Sequence, residues 1–257
     1  MKDKDRAWSN IHSEHVKITR PQSLTALVVG ELRARIVDGR LRLGAHLSEN
    51  ALAAELGISK TPVREALLQL KLERLVEILP QRGSYVFGLG AEEVVKVSEL
   101  REILETEAAA AAIKRNHKLL VARMGEVLRD MRKAYNAGDI AAYRTIDGEF
   151  HCTIIDLCGN SFVRDAYGPI GLRIQALRSR LTDEAALNRL SFRDHCEMLK
   201  LIRSGEVAKL QKLMRAHIRQ TAQSYIEVLV RVGDNDAAAP AAGRADRPAR
   251  ALARIGG

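Results

Sequence analysis

The N-terminal third of the chain carries apolar residues at helical spacing, separated by glycines and short polar stretches. A first helix is predicted over 24–36, and it ends at Asp38-Gly39, since glycine commonly follows the last turn of a helix. A second helix is predicted over Glu49–Leu56, with Ser48 as its N-cap. The apolar stripe of the first helix consists of Leu24, Leu27, Val28, Leu32 and Ile36.

A third helix follows the second after a tight turn. Gly57 closes the second helix, and Thr61 and Pro62 are predicted as the N-cap and first position of the third, which extends to about Glu73. Two short helices joined by a glycine turn are typical of a helix-turn-helix.

Two short apolar runs then indicate a β-hairpin. They span Val76–Ile78 and Ser84–Phe87, and the segment between them contains Pro80 and Gly83. Three helices followed by a hairpin is the order of a winged helix-turn-helix, which we predict for residues 21–88.

The rest of the chain shows only helical patterning. Gly88-Leu89-Gly90 is the predicted linker, and an all-α helical bundle is predicted over 91–231, because its short connections suit antiparallel neighbours. The predicted fold class is therefore mainly α. The six predicted helices span about 91–116, 118–137, 139–157, 161–182, 184–204 and 206–231.

Both ends of the chain lack periodicity. Residues 1–20 are polar and mixed in charge, which indicates a flexible arm. Residues 232–257 are rich in Ala, Arg, Pro and Gly, which indicates a disordered tail.

Composition and charge narrow the class of partner. Hydrophobic residues make up 46% of the chain and aromatic residues only 4%, so the core is built mainly from aliphatic side chains. The formal net charge of +9 favours an anionic partner, with nucleic acid as the first candidate. A basic protein without such a partner is the alternative that charge alone leaves open.

Cysteine usage and hydropathy favour a cytoplasmic protein. Cys152, Cys158 and Cys196 form no CxxC pair and no even framework, which is typical of a reducing compartment. No apolar run has the length of a membrane span, and residues 1–10 lack an apolar signal core.

The helix-turn-helix places polar and basic residues where DNA contacts are expected. The start of a recognition helix meets base edges and phosphates, arginine can donate two hydrogen bonds to guanine, and a wing tip can reach the backbone or the minor groove. An ordinary solvated helix face is the alternative for any single basic residue. The predicted DNA contacts are Asn50, Ser59, Lys60, Thr61, Arg64, Arg82 and Gly83.

These residues resemble a known family. The segment 59–67, Ser-Lys-Thr-Pro-Val-Arg-Glu-Ala-Leu, is similar to the recognition helix of the GntR family of bacterial regulators, and 82–86, Arg-Gly-Ser-Tyr-Val, resembles its wing. The resemblance covers about residues 20–88. Lys60 stands where that family usually has Arg, and Arg74 where Gly is common.

The helical part resembles the FadR-type effector domain of the same family, often called FCD. The similarity covers about residues 91–231 and rests on Leu100–Glu105, Asp147–His151, Gly159-Asn160, His195 and Ala216-His217. In that family the matching positions bind metal, so the resemblance implies a divalent ion, Zn²⁺ or Ni²⁺, held by Asp147, His151, His195 and His217. From spacing alone, histidines that are satisfied within the core remain the alternative.

Other polar residues of the helical part leave alternatives open. The resemblance implies that Arg101 faces an effector carboxylate, whereas its spacing to Glu105 also allows an intrahelical ion pair. Asn160 is expected to cap a helix or to contact the effector. A basic run of Arg173, Arg178 and Arg180 is interpreted as a solvated face, with one of them lining the pocket as the alternative.

The expected function is transcriptional regulation, with repression as the mode. The protein is expected to bind a palindromic operator as a homodimer and to respond to a small organic acid. A metal-dependent enzyme is the first alternative, against which the sequence offers no second carboxylate placed as a general base and no nucleophile motif. An architectural DNA-binding protein that needs no ligand is the second alternative.

Overall fold

The computed structural model describes residues 23–180 and 185–238, with side chains over 23–180 and 187–230. The predicted arm, 1–20, lies outside the described residues. Among the helices described, none has both the length and the apolar character needed to cross a membrane.

The N-terminal part is a winged helix-turn-helix, as predicted. Its three strands form one antiparallel sheet in the order β1-β3-β2, in which His46 pairs with Tyr85 and Val76 with Val86. The pattern missed β1, because two residues are too short to show alternation. The elements are α1 (Leu24–Val37), β1 (His46–Leu47), α2 (Glu49–Leu56), α3 (Lys60–Leu72), β2 (Val76–Leu79) and β3 (Gly83–Val86).

The start of α2 is confirmed and the predicted start of α3 is wrong by two residues. The Oγ atom of Ser48 accepts a hydrogen bond from the Ala51 amide, as an N-cap does. Ser59 occupies the N-cap position of α3 without a capping hydrogen bond from its side chain, and the helix begins at Lys60, so Pro62 lies in its first turn and not at its first position. Proline is tolerated there because the first amides of a helix have no intrahelical acceptor.

The C-terminal part is a bundle of long helices, and the mainly α fold class is confirmed. It contains α4 (Ala91–Ala137), α5 (Ile140–Leu157), α6 (Ser161–Arg178), α7 (Ala185–Ser204) and α8 (Val207–Ala238).

The predicted break at Asn116-His117 is a kink within α4. Asn116 has φ −134° and ψ 30°, and the helix continues on both sides of it. The Asn116 side-chain nitrogen donates to the Leu157 carbonyl at 2.8 Å, and His117 Nε2 lies 2.6 Å from the Ile202 carbonyl. Contacts with two other helices therefore hold the kink.

Two other predicted helix ends are displaced. Helix α6 ends at Arg178 and not at 182, and α8 extends to Ala238, so 232–238 is helical and not part of a disordered tail. Gly233 weakens a helix but does not end one by itself, which is why composition misled the prediction. The remaining predicted tail, 239–257, lies outside the described residues.

The winged helix and the bundle share a hydrophobic core. Ile174 and Leu177 of α6 and Tyr225 of α8 are buried in the same cluster as Leu32 and the other apolar residues of the winged helix. A second cluster, which includes Met124, Phe150, Met198, Ile202 and Met214, fills the bundle itself. Leu89 of the predicted linker is buried in the first cluster, so the connection between the two parts is packed against them.

The turn after α3 holds a residue in a conformation that favours glycine. Arg74 is exposed and has φ +57°. In this left-handed region the Cβ atom of any residue other than glycine clashes with the backbone, which is unfavourable. Gly57, at the end of α2, has φ +66°, and no atom of the described residues would crowd a side-chain carbon added there.

We predict that Arg74→Gly stabilises the protein by about 0.5–1 kcal/mol, since relief of the left-handed strain exceeds the added entropy of the unfolded chain. Gly57→Ala, the matched control, should destabilise by about 1 kcal/mol because it introduces the same strain. Urea denaturation of the three proteins measures both changes. A lower midpoint for Arg74→Gly would show that contacts of the Arg74 side chain outweigh the backbone cost.

Candidate functional site

The predicted DNA-contact residues are all exposed. Lys60, Thr61 and Arg64 lie in the first two turns of α3, whereas Val63 and Leu67 of the same helix are buried. The amphipathic α3 therefore presents a polar face outward while its apolar face packs. The other exposed members of the set are Asn50 on α2, Ser59 at the N-cap, and Arg82 and Gly83 at the wing.

Arg64 is held by a carboxylate that was not predicted from the sequence. Its guanidinium donates to Glu49 of α2, with Nη2 2.8 Å from Oε2, and its side chain remains 63% exposed. The hydrogen bond from Arg64 lowers the pKa of Glu49. Glu49 therefore restricts the directions in which this arginine extends from α3.

The wing is fixed by close backbone packing. Gly83 has φ +95°, and a side-chain carbon there would lie 3.0 Å from His46 Nε2 on the neighbouring strand. The Tyr85 hydroxyl donates to the Arg82 carbonyl at 3.0 Å. These contacts define the path of the chain at Arg82, whose side chain is exposed.

Three histidines from three helices converge inside the bundle. His151 of α5, His195 of α7 and His217 of α8 each offer a ring nitrogen, and these nitrogens lie within 4.8 Å of one another. All three residues are buried. We refer to His151, His195 and His217 as the histidine cluster.

The chemical state of the cluster suits metal coordination. Nε2 of His151 and both ring nitrogens of His195 are buried without a hydrogen-bond partner among the described residues. Burial lowers the pKa of His151 to about 4 and lowers the pKa of His195 well below its ordinary value. Both rings are therefore neutral near pH 7, which is the form of imidazole that binds a metal ion.

Two carboxylates outside the cluster orient its rings. Glu105 Oε2 lies 2.7 Å from His151 Nδ1, and Asp194 Oδ2 lies 3.4 Å from His217 Nδ1. Carboxylates in this position fix the tautomer of a metal-binding histidine and leave the other nitrogen available. Neither role was predicted from the sequence, in which Glu105 stood only as a partner of Arg101.

Asp147 lies beside the cluster and is already engaged. Its Oδ2 is 2.6 Å from Nε of Arg178, and its Oδ1 accepts from Ser191 and lies 3.6 Å from His195 Nδ1. Burial alone would raise the pKa of Asp147, but Arg178 and the neighbouring histidines together outweigh it, and the pKa falls below its usual range. The geometry thus brings together three of the four predicted ligands, with Asp147 adjacent.

Arg101 forms the intrahelical ion pair that was one of its two predicted alternatives, and its contact with an effector stays a prediction. It is fully buried, and its Nε donates to Glu105 at 2.6 Å, which is the intrahelical ion pair. Its two terminal nitrogens have no hydrogen-bond partner within the described part of the chain. Because unsatisfied donors are costly in the interior, these nitrogens favour an anionic ligand.

Asn160 acts as a helix cap. It is exposed, and its side-chain oxygen accepts from the Phe162 amide at the start of α6. A contact between Asn160 and an effector stays a prediction.

The predicted solvated face of α6 is wrong for Arg178. This residue is 5% exposed and pairs with Asp147, while Arg173 and Arg180 are half-buried. Spacing along one helix did not reveal that other elements cover all three arginines.

Comparison with known families matches both parts of the chain. Residues 24–86 match the profile described as bacterial regulatory proteins of the gntR family, and residues 96–220 match the FCD domain.

Named relatives agree with this assignment. The gluconate operon transcriptional repressor of Bacillus subtilis is 34% identical over 137 residues, which cover 53% of this chain and 56% of that protein. The match thus spans about half the length of that repressor. An uncharacterised helix-turn-helix regulator from an unstable DNA locus of Streptomyces ambofaciens is 31% identical over 191 residues, covering 74% of this chain and 79% of that protein.

Solved structures support the same fold. A GntR transcriptional regulator from Rhodococcus sp. RHA1 superposes with a TM-score of 0.69 at 23% identity, covering 79% of this chain and 97% of that one. The E. coli protein McbR/YncC gives a TM-score of 0.66 at 24% identity, with 82% and 99% covered. The family and the named relatives point to a transcription factor and not to an enzyme. This chain belongs to the GntR family of bacterial regulatory proteins, and its C-terminal part is an FCD domain.

Proposed function

We propose that this protein is a cytoplasmic transcriptional repressor that binds operator DNA and releases or retains it in response to a small organic acid. The observation that carries the proposal is the combination, in one chain, of an exposed polar face on α3 with a buried histidine cluster in the bundle. The first suits DNA, and the second suits a metal ion with a ligand.

The winged helix would read DNA through α3 and the wing. Free amides at the start of α3, together with Ser59 and Thr61, suit phosphate, and Arg64 suits the donor and acceptor pattern of guanine in the major groove. Arg82 would reach the backbone or the minor groove from the wing. One winged helix covers only a few base pairs, so we propose a homodimer on a palindromic site.

The histidine cluster would hold a divalent ion, with Zn²⁺ and Ni²⁺ as the candidates. Three neutral imidazoles are suitable ligands for either ion, and Asp147 lies close enough to His195 to join them after a change in its pairing with Arg178. When bound, the ion would offer an open coordination position to an acidic ligand. Glu105 and Asp194 would hold His151 and His217 in their orientations.

Arg101 would complete the binding of an acidic effector. Its two terminal nitrogens suit the two oxygens of a carboxylate, and Glu105 holds the guanidinium at Nε. A coupling of about 1.4 kcal/mol between ligand and DNA sites is enough to change DNA occupancy about tenfold.

We predict that Arg64→Ala weakens binding to the preferred operator by about tenfold to a hundredfold and relaxes the preference at one base position. Lys60→Ala should weaken binding to all sequences more evenly, if it meets phosphate. Selection from a random duplex library identifies the operator, and fluorescence anisotropy then measures affinity. Arg123→Ala, which alters an exposed arginine of α4, is the control. Unchanged specificity in Arg64→Ala would contradict the base contact.

We predict one divalent ion per chain. Purified protein should contain it by elemental analysis, and adding Zn²⁺ or Ni²⁺ to chelated protein should raise the Tm by several degrees, since the ion binds only the folded state. His151→Ala and His217→Ala should lose most of the ion and most of the Tm increase. His117→Ala, outside the cluster, should keep both. Chelated protein that takes up neither ion would refute the metal site.

We predict that a small mono- or dicarboxylate changes operator affinity, and that Arg101→Lys reduces its binding at least about tenfold, because lysine keeps the charge but not the two-pronged geometry. Calorimetry of a carboxylate series measures binding. Arg219→Lys, an exposed arginine paired with Glu102, serves as the control. If the active effector carries no carboxylate, or if Arg101→Lys binds it as the wild type does, Arg101 does not bind the effector. Its role is then limited to the ion pair with Glu105.

A further inference from the structure

Two half-buried arginines contact the winged helix, although they lie two turns apart. Arg173 is on α6, and Arg180 follows the end of that helix. Arg173 reaches the end of α3 and Arg180 reaches the loop after α1. The proposed function assigns neither of them a role.

Arg173 fixes the junction between α3 and the wing. Its Nε donates to the Arg74 carbonyl at 2.9 Å, and its guanidinium lies 5.0 Å from the centre of the Phe87 ring. Arg74 follows the last residues of α3, and Phe87 directly follows β3 and is fully buried. One side chain thus contacts both ends of the hairpin where it joins the body of the winged helix.

Arg180 makes a second contact with the winged helix, at the loop after α1. We refer to Arg173 and Arg180 as the two anchors. The Nη2 atom of Arg180 donates to the Leu41 carbonyl at 3.0 Å, and its Nη1 donates to Ala176 and, at 3.3 Å, to Ser179. The acceptors are backbone and hydroxyl oxygens without a formal charge. Burial lowers the pKa of Arg180 to about 10. Its hydrogen bonds hold the partly buried guanidinium between the end of α6 and the loop after α1.

Arg178 points to the other side of the same segment. Arg178 pairs with Asp147 of α5, whereas Arg180, just after the end of α6, donates to the Leu41 carbonyl of the loop after α1. Arg178 is 5% exposed and lies 2.6 Å from Asp147, which in turn lies 3.6 Å from His195 Nδ1. Helix α6 therefore stands between the histidine cluster and the winged helix, with an ionic contact on one side and two anchors on the other.

We propose that α6 transmits changes at the histidine cluster to the DNA-binding part, with Arg173 and Arg180 as the positioning residues that set the orientation of the winged helix. The role rests on the proposed function, since it explains how a ligand in the bundle alters DNA binding. A group that competes for Asp147 releases or reorients Arg178, α6 shifts, and the two anchored segments move with it.

Hydrogen exchange of the protein without metal, ligand or DNA tests this role. Two amides report on the anchors: Leu75, which donates to the Leu70 carbonyl beside Arg74, and Leu41, which donates to the Arg35 carbonyl. In Arg173→Ala/Arg180→Ala, exchange at both should rise at least about tenfold, because local opening becomes easier. The double lysine variant should restore part of the protection. Arg164→Ala, an exposed arginine of the same helix, should match the wild type.

Transmission is tested by combining the substitutions of Arg173 and Arg180 with a substitution of Arg178. Arg178→Met should raise amide exchange at Leu41 and Leu75 in the wild-type background. In the Arg173→Ala/Arg180→Ala background it should add nothing, because coupled changes are not additive. Arg178→Lys, which keeps the charge, should act in the same direction if the Met variant fails to fold by circular dichroism.

The proposal would be overturned if the Arg173→Ala/Arg180→Ala protein exchanged these amides at the wild-type rate. It would also be overturned if Arg178→Met had an equal effect in both backgrounds. The assay contains no metal and no operator. A failure of metal or DNA binding would therefore count against the proposed function alone.

Discussion

Buried charges at the centre of the bundle constrain the arrangement of its helices. Arg101 and Glu105 are fully buried on α4, and Asp147 and Arg178 are nearly so on α5 and α6. An unpaired ion in the interior costs several kcal/mol, so each must find its partner within hydrogen-bond distance. Glu105 satisfies this requirement with Arg101 and His151, and its pKa falls well below its ordinary value because the charge of Arg101 and the contact with His151 together outweigh the effect of burial. The position of His151 follows from this pairing.

The winged helix was the more predictable part, because its signals are local. The cap at Ser48, the extent of α2 and the hairpin follow from residues that are neighbours in the sequence. The kink at Asn116 was not predictable as a kink, because its cause is the Leu157 carbonyl 41 residues away. The start of α3 was placed late because Pro62 is allowed throughout the first turn.

The same distinction holds for the candidate site. A family resemblance selected three histidines from three helices, and the structure brings them together. The carboxylates that orient them were missed, because Glu105 and Asp194 reveal these partners only through space. Glu49, the partner of Arg64 in the winged helix, was missed for the same reason. Arg178 was assigned to solvent for the same reason, since helical spacing shows which residues share a face and not what covers that face.

The shared core also limits how far this protein can be treated as modular. Ile174, Leu177 and Tyr225 cover apolar surface of the winged helix, and Leu89 runs through the same cluster. A winged helix cut away at this point would expose that surface to water and tend to aggregate. A chimeric regulator that joins this winged helix to another bundle therefore has to carry the matching faces of α6 and α8, and a graft at the glycines alone would join two incompatible surfaces.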